Sequence, residues 1–288
     1  MNKRKKLLFI AFILLLFVGG ILMVVSERRE EKSVQISMVV LNDKAERFYQ
    51  MEIEDDTANF TLDILYQANY CAEFKMYVLS NFIAVPYSLN GGSETIVNKL
   101  EIKPSEDIRV SSGNRICVRG ISERNNDFCI VLISETDTFT KRFQIVNKSN
   151  SVDHFSPEIS TKALTQPMEQ PYEIIQDFDN RNVTISIDFS SELSGSRYKA
   201  AFDKDDIGFN MAVAIYNEDT CAFELVGYAY ITKRQFEFTI STKSQQEGDI
   251  VRYILFPFAH QYNDDFLSTY KMTLWSSPIS IDRIRIGE

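Results

Sequence analysis

Hydrophobic and polar positions follow two different rhythms along this chain. Leu7 to Val25 is a run of 19 residues without a charge. As a helix rising about 1.5 Å per residue it would span roughly 29 Å, close to the hydrocarbon thickness of a bilayer. Beyond that run the period is two. Val183, Ile185, Ile187 and Phe189 fall on one face of an extended segment, while Thr184, Ser186 and Asp188 fall on the other. That alternation predicts a half-buried strand. Phe236, Phe238 and Ile240 repeat it. Ile36 to Leu41, Phe128 to Ile133 and Ile250 to Phe258 are apolar with little interruption and read as central strands. No amphipathic helix of three turns follows the first run, and residues 43–51 offer at most a short one.

The strand patterns fall into two sets separated by residues 149–171. This stretch holds Pro157, Pro167 and Pro171 among Ser, Thr and Asn, and it lacks periodicity. The predicted fold class is all-β: an N-terminal transmembrane helix followed by two tandem immunoglobulin-like β-sandwich domains. The expected divisions are a cytoplasmic tail over 1–6, a signal-anchor helix over 7–25, a first extracytoplasmic domain over 26–148, a linker over 149–171 and a second domain over 172–288. The two halves are expected to fold independently. Four segment pairs hint at duplication: 59–66 with 182–189, 74–78 with 209–213, 100–102 with 238–240, and 126–128 with 264–266. Two unrelated sandwiches would look much the same. The sole Trp is Trp275, so no Cys…Trp…Cys spacing exists. The match is to an architecture and not to a family.

Charge orients the chain. Lys3, Arg4, Lys5 and Lys6 precede the apolar run, whereas Arg28, Arg29 and Lys32 follow it among Glu27, Glu30 and Glu31. The bias favours a cytoplasmic N-terminus, with residues 27–288 outside. The length of the run favours a retained anchor over a cleaved leader, whose apolar core is usually about 7–15 residues. The expected localisation is therefore the cell membrane, single-pass, held through residues 7–25. Beyond the four leading bases stand 27 Lys and Arg against 40 Asp and Glu, a balance of −13. Such acidity disfavours nucleic acid as a partner. It also serves simple solubility.

Candidate chemistry is sparse. There are two His. His154 lies in the expected linker. His260 precedes Asp264 and Asp265, which could orient it as a base, but no nucleophile motif accompanies it and a plain loop histidine is the better reading. The acidic loops at 203–206, 217–219 and 177–179 carry oxygen ligands of the kind calcium takes. Asp177 and Asp179 are the metal candidates, although ordinary acidic turns account for them equally well. No phosphate loop or dinucleotide fingerprint is present, and no cofactor is expected. Asn59, Asn147 and Asn182 head Asn-x-Ser/Thr sequons.

Four Cys stand at 71, 117, 129 and 221, without metal-binding spacing. Cys117 and Cys129 flank a polar turn at 122–127 and form the disulfide candidate if a hairpin sets them about 4.5–5.5 Å apart. Pairing of Cys71 with one of them, or four reduced thiols, are the alternatives. The functional expectation is a non-enzymatic surface protein with a protein-binding or adhesion role and a protein partner at the cell surface. A carbohydrate-binding module, an envelope enzyme on the same scaffold, or a structural subunit of an envelope or secretion assembly are the rivals.

Overall fold

A computed structural model describes residues 35–67, 71–104, 113–151, 158–166, 168–189, 208–260, 279–281 and 283–287. The expected tail and membrane helix lie outside them, as do His154 and Asp264 to Phe266. The described residues form strands, turns and loops with no α-helix, so no described helix is long and apolar enough to cross a membrane. Among the described residues, nineteen strands make four sheets.

The first sheet has the order β1 (Gln35–Leu41), β3 (Ala58–Gln67), β8 (Asn114–Val118), β6 (Tyr87–Leu89). The second runs β2 (Gln50–Ile53), β10 (Thr138–Asn147), β9 (Asn125–Ile133), β4 (Ala72–Ser80), and β5 (Ile83–Ala84) and β7 (Val97–Ile102) both pair with β4. β2 lies parallel to β10; the other pairings in these two sheets are antiparallel. The third sheet has the order β15 (Ala222–Ile231), β14 (Phe209–Asn217), β17 (Ile250–Pro257), β18 (Ile279–Ser280), with β19 (Ile284–Arg285) also on β17. The fourth runs β11 (Thr161–Ala163), β16 (Gln235–Ser241), β13 (Asn182–Asp188), β12 (Tyr172–Asp177).

Alternation of side chains explains how these sheets stack. Phe60, Leu62 and Ile64 of β3 meet Phe74, Met76 and Val78 of β4 and Phe128, Ile130 and Leu132 of β9 in one buried core. Val183, Ile185 and Ile187 of β13 meet Met211, Val213 and Ile215 of β14 and Tyr253 and Leu255 of β17 in another. Each half is therefore a two-sheet sandwich. The intervening residues of the inner strands are also buried: Tyr77, Leu79, Cys129 and Val131 from the first half cluster with Ala212, Ala214, Tyr216, Ile254 and Phe256 from the second. The second and third sheets thus lie back to back, covered on both faces. This is why β9 and β17 are written as nearly unbroken apolar runs.

Several expectations change here. Ile36 to Leu41 is an edge strand and not a central one, because among the described residues β1 pairs only with β3 within its sheet and its outward residues are half-covered or exposed. Residues 43–51 form a turn, a bridge from Arg47 to Leu41 and the start of β2, not a helix. Within the stretch read as a linker, Thr161–Ala163 pairs with Phe236–Phe238 and Ile159 bridges Ala229. The match of β3 to β13 and of β4 to β14 holds in topology. Residues 100–102 and 238–240 are not equivalent: the first pair with β4 in an inner sheet, the second with β13 in an outer one.

Candidate functional site at the junction of the two sandwiches

The junction is built on outward residues of β4, β9, β14 and β17. On β14 these include Ala212 and Ala214, whose small side chains leave room for the rings facing them. Tyr77, Tyr216 and Phe223 fill that room, with Tyr77 5.7 Å from Tyr216 and 4.9 Å from Phe223 in edge-to-face contacts.

At one end of the strands the β4–β5 turn puts Phe82 into the junction. Asn81 and Phe82 have φ of 49° and 67°, a left-handed conformation tolerable for Asn and costly for a bulky ring. Asn81 is fixed from several sides. Its backbone N–H donates to the Asp127 carbonyl at 2.8 Å, its Oδ1 accepts from the Asp127 N–H at 2.8 Å, and its Nδ2 donates to Glu123 at 2.9 Å. Phe82 itself is wholly buried and lies 4.8 Å from Phe256 of the other sandwich.

A buried ion pair sits on those rings. Arg142 and Asp127, both with almost no exposed side-chain surface, approach to 3.2 Å. The Arg142 guanidinium lies 5.1 Å from the Phe82 ring centre and 5.9 Å from that of Phe256. Arg142 also donates to the Pro257 carbonyl at 2.7 Å, and the backbone N–H of His260 donates to Asp127 Oδ2 at 2.7 Å. Each member of the pair therefore bonds across the junction. Both charges are compensated where neither could be left alone.

At the other end of β9 and β17 the contacts are polar and open. Arg252 holds Glu218 on its own side and reaches across to the carbonyls of Ser134 and Glu135 and to the Thr138 hydroxyl. Arg283 also pairs with Glu218. Tyr77 Oη donates to the Cys221 carbonyl at 3.0 Å, and Lys75 Nζ lies 2.9 Å from Cys221 Sγ. The hydrogen bond to Cys221 raises the Lys75 pKa, against the opposing effect of burial. Burial chiefly raises Tyr77, and it pushes Tyr216 up to about 12. A cleft of about 800 Å³ opens here between the halves, lined by Glu73, Lys75, Glu135, Asp137, Glu218 and Arg252 among others.

The residues singled out in the sequence do not converge. His260 is part of the junction: its ring Nε2 lies 3.2 Å from Tyr228 Oη, and Tyr228 donates to the Asn81 carbonyl. It is not among the residues lining the cleft. Asp177 accepts from the backbone and side-chain nitrogens of Asn180 at 3.1 and 2.8 Å, and those bonds hold its carboxyl below its ordinary value. Asp179 is exposed beside it in the same turn. Among the described residues, no group of three or more His, Cys, Asp or Glu could hold a metal ion.

The hairpin proposed for Cys117 and Cys129 does not form. β8 pairs with β3 and β6, while β9 pairs with β10 and β4, so the two thiols lie in different sheets. Cys129 faces the junction, and all four thiols are free. Asn147 is buried and bonds to Ile121 and Ser149, a structural role for that sequon residue, whereas Asn59 is exposed. Exposed apolar side chains include Ile175 on the edge strand β12 and Phe178 in the turn after it.

Arg142, Asp127 and Phe82 were not among the sequence candidates. The available signal was Asn81 before Phe82, a turn residue introducing a ring between two strand patterns.

No family model matches the chain, and no curated protein matches it. Among solved structures it is similar to domains A168–A170 of titin, at 9% identity over 86% of this chain, with a TM-score of 0.23. It is also similar to a bacterial ice-binding adhesin studied for host cell surface retention, at 11% identity over 77% of this chain, with a TM-score of 0.21. These matches span 66% and 59% of the respective structures, both less than two thirds. Overlap at that level does not assign a fold or a function.

Proposed function

We propose that this chain is a membrane-tethered, non-enzymatic binding module in which two immunoglobulin-like sandwiches are held in one fixed arrangement outside the bilayer. The observation that carries the reading is the buried junction. An apolar core completed by the Arg142–Asp127 pair sets the angle between the halves, as a scaffold presenting surfaces to a partner requires. Strand order supports the immunoglobulin plan, in which A, B, E and D face C, F and G. β1, β3, β8 and β6 correspond to the first group and β4, β9 and β10 to the second. The chain departs from that plan where it leaves β4 through β5, visits the first sheet as β6 and returns to β4 as β7.

The tether rests on the uncharged run from Leu7 to Val25 behind a wholly basic tail. A catalytic reading is disfavoured because Glu218, Arg252 and Arg283 of the cleft pair with one another and His260 is engaged elsewhere. The outer surface offers Ile175 and Phe178 near an edge strand as candidate contacts for a protein partner.

Photo-crosslinking on intact cells tests this reading, with the crosslinker placed at Ile175. The expected result is one discrete protein partner, lost on Phe178→Asp in a chain that keeps its melting temperature. Recovery of a soluble chain starting at Glu27, or a hydrolytic activity abolished by His260→Ala, would overturn it.

A further inference from the structure

The open rim of the junction brings a nucleophile and an amine together from opposite halves. Lys75 lies on β4, and Cys221 ends the turn between β14 and β15, 146 residues away. Nζ and Sγ are 2.9 Å apart. The turn that carries Cys221 is held in place. The Asn217 side-chain oxygen accepts from the backbone of Asp219 and Thr220, which shapes the turn, and Tyr77 donates to the Cys221 carbonyl at 3.0 Å. Cys221 has a φ of 55° and is half-exposed. Sγ also lies 3.5 Å from the Glu218 carbonyl, to which the neutral thiol donates.

The Lys75 amine donates to the Cys221 sulfur at this distance, and the reactive form of cysteine is the thiolate. The same contact holds Lys75 as the ammonium. Cys129 is the opposite case: wholly buried, it is pushed up to about 12, chiefly by burial. Cys71 is the more exposed thiol, so exposure and contact with a lysine amine select different residues.

We propose that Lys75 and Cys221 form an oxidative modification site at which hydrogen peroxide installs a covalent crosslink between the two sandwiches. The Cys221 thiolate attacks one peroxide oxygen and the O–O bond breaks. The leaving hydroxide takes a proton from the Lys75 ammonium and departs as water. Sulfur is oxidised by two electrons to the sulfenic acid, peroxide is reduced, and Lys75 is left as the free amine. Its lone pair then displaces the sulfenic hydroxyl, which leaves as water with a proton from nitrogen, and an S–N bond forms. This is the condensation by which sulfenic acids yield sulfenamides. Thiol reductants reverse it. The inference is independent of the binding role proposed above.

The test treats the full-length chain with hydrogen peroxide and maps its peptides by mass spectrometry. A linked pair containing Lys75 and Cys221, lighter by two hydrogens than its parts and released by a thiol reductant, is the expected product. Lys75→Arg keeps the cation but removes the condensing amine. In that variant Cys221 should stop at the sulfenic acid and be labelled by dimedone, whereas the untreated thiol is not. Cys221→Ser should abolish both products, which keeps the test decisive if Lys75→Arg folds poorly. Preferential oxidation of Cys71, equal dimedone labelling of the unaltered chain and Lys75→Arg, a linked pair that retains an added oxygen, or no linked pair would each overturn the proposal.

Discussion

At the scale of single residues, the junction depends on groups whose roles come from distant partners. Phe82 occupies a left-handed turn position and is compensated by the rings and guanidinium around it. Phe82→Ala should destabilise the chain by about 3–5 kcal/mol, the usual cost of deleting a buried ring, as read by denaturant unfolding. Asp127→Ala should cost a similar ~3–5 kcal/mol, because it leaves Arg142 buried and uncompensated. Replacing both at once, Asp127→Leu with Arg142→Met, should recover most of that loss. A double variant no better than the single one would show that the pair is not the relevant unit. Neither residue was legible beforehand. Arg142 sits in Thr-Lys-Arg-Phe, which reads as a solvated stretch, and its burial is decided by Pro257, 115 residues away. His260 was legible as a loop residue at a strand end, but its bond to Tyr228 depends on the third sheet.

Ionisation at this scale also links stability to alkaline pH. Cys129 is raised from 9.0 to about 12 and Tyr216 from 10.0 to about 12, both chiefly by burial. Each is held neutral in the folded chain. Its contribution is therefore fully present below the ordinary value and is lost as the pH rises from 9.0 through about 12. Denaturation midpoints should fall steeply over that window, and Cys129→Ala should soften the fall. A flat profile would contradict burial of these groups.

At the scale of elements, periodicity was informative where one face meets a core. The alternation over Val183 to Phe189 places its apolar set in the second core as read. The unbroken runs in β9 and β17 signalled coverage on both faces, but a run of apolar residues cannot say what does the covering. Here it is the other half of the same chain. β1 misled for a related reason: its second face is only half-covered, yet it is nearly as apolar as a central strand. Tandem organisation was visible in β3 with β13 and in β4 with β14, and was blurred where short strands changed sheets. β14 offers a direct test. Ala214→Leu adds bulk on the junction face alone and should cost about 1–3 kcal/mol by overpacking, without affecting the core-facing residues Val213 and Ile215. An unchanged or raised stability would mean the junction has spare volume.

In the whole molecule, the two sandwiches are expected to behave as one mechanical unit. A single buried core, closed at one end by Arg142–Asp127 and at the other by Arg252, joins them. A binding surface carried by such a unit keeps its geometry under load or on contact. Differential scanning calorimetry of the chain tests this most directly. One cooperative transition is expected for the unaltered protein and two separated transitions for Asp127→Ala, whose junction is broken while each sandwich core is intact. Two transitions in the unaltered protein, unmoved by Asp127→Ala, would contradict it.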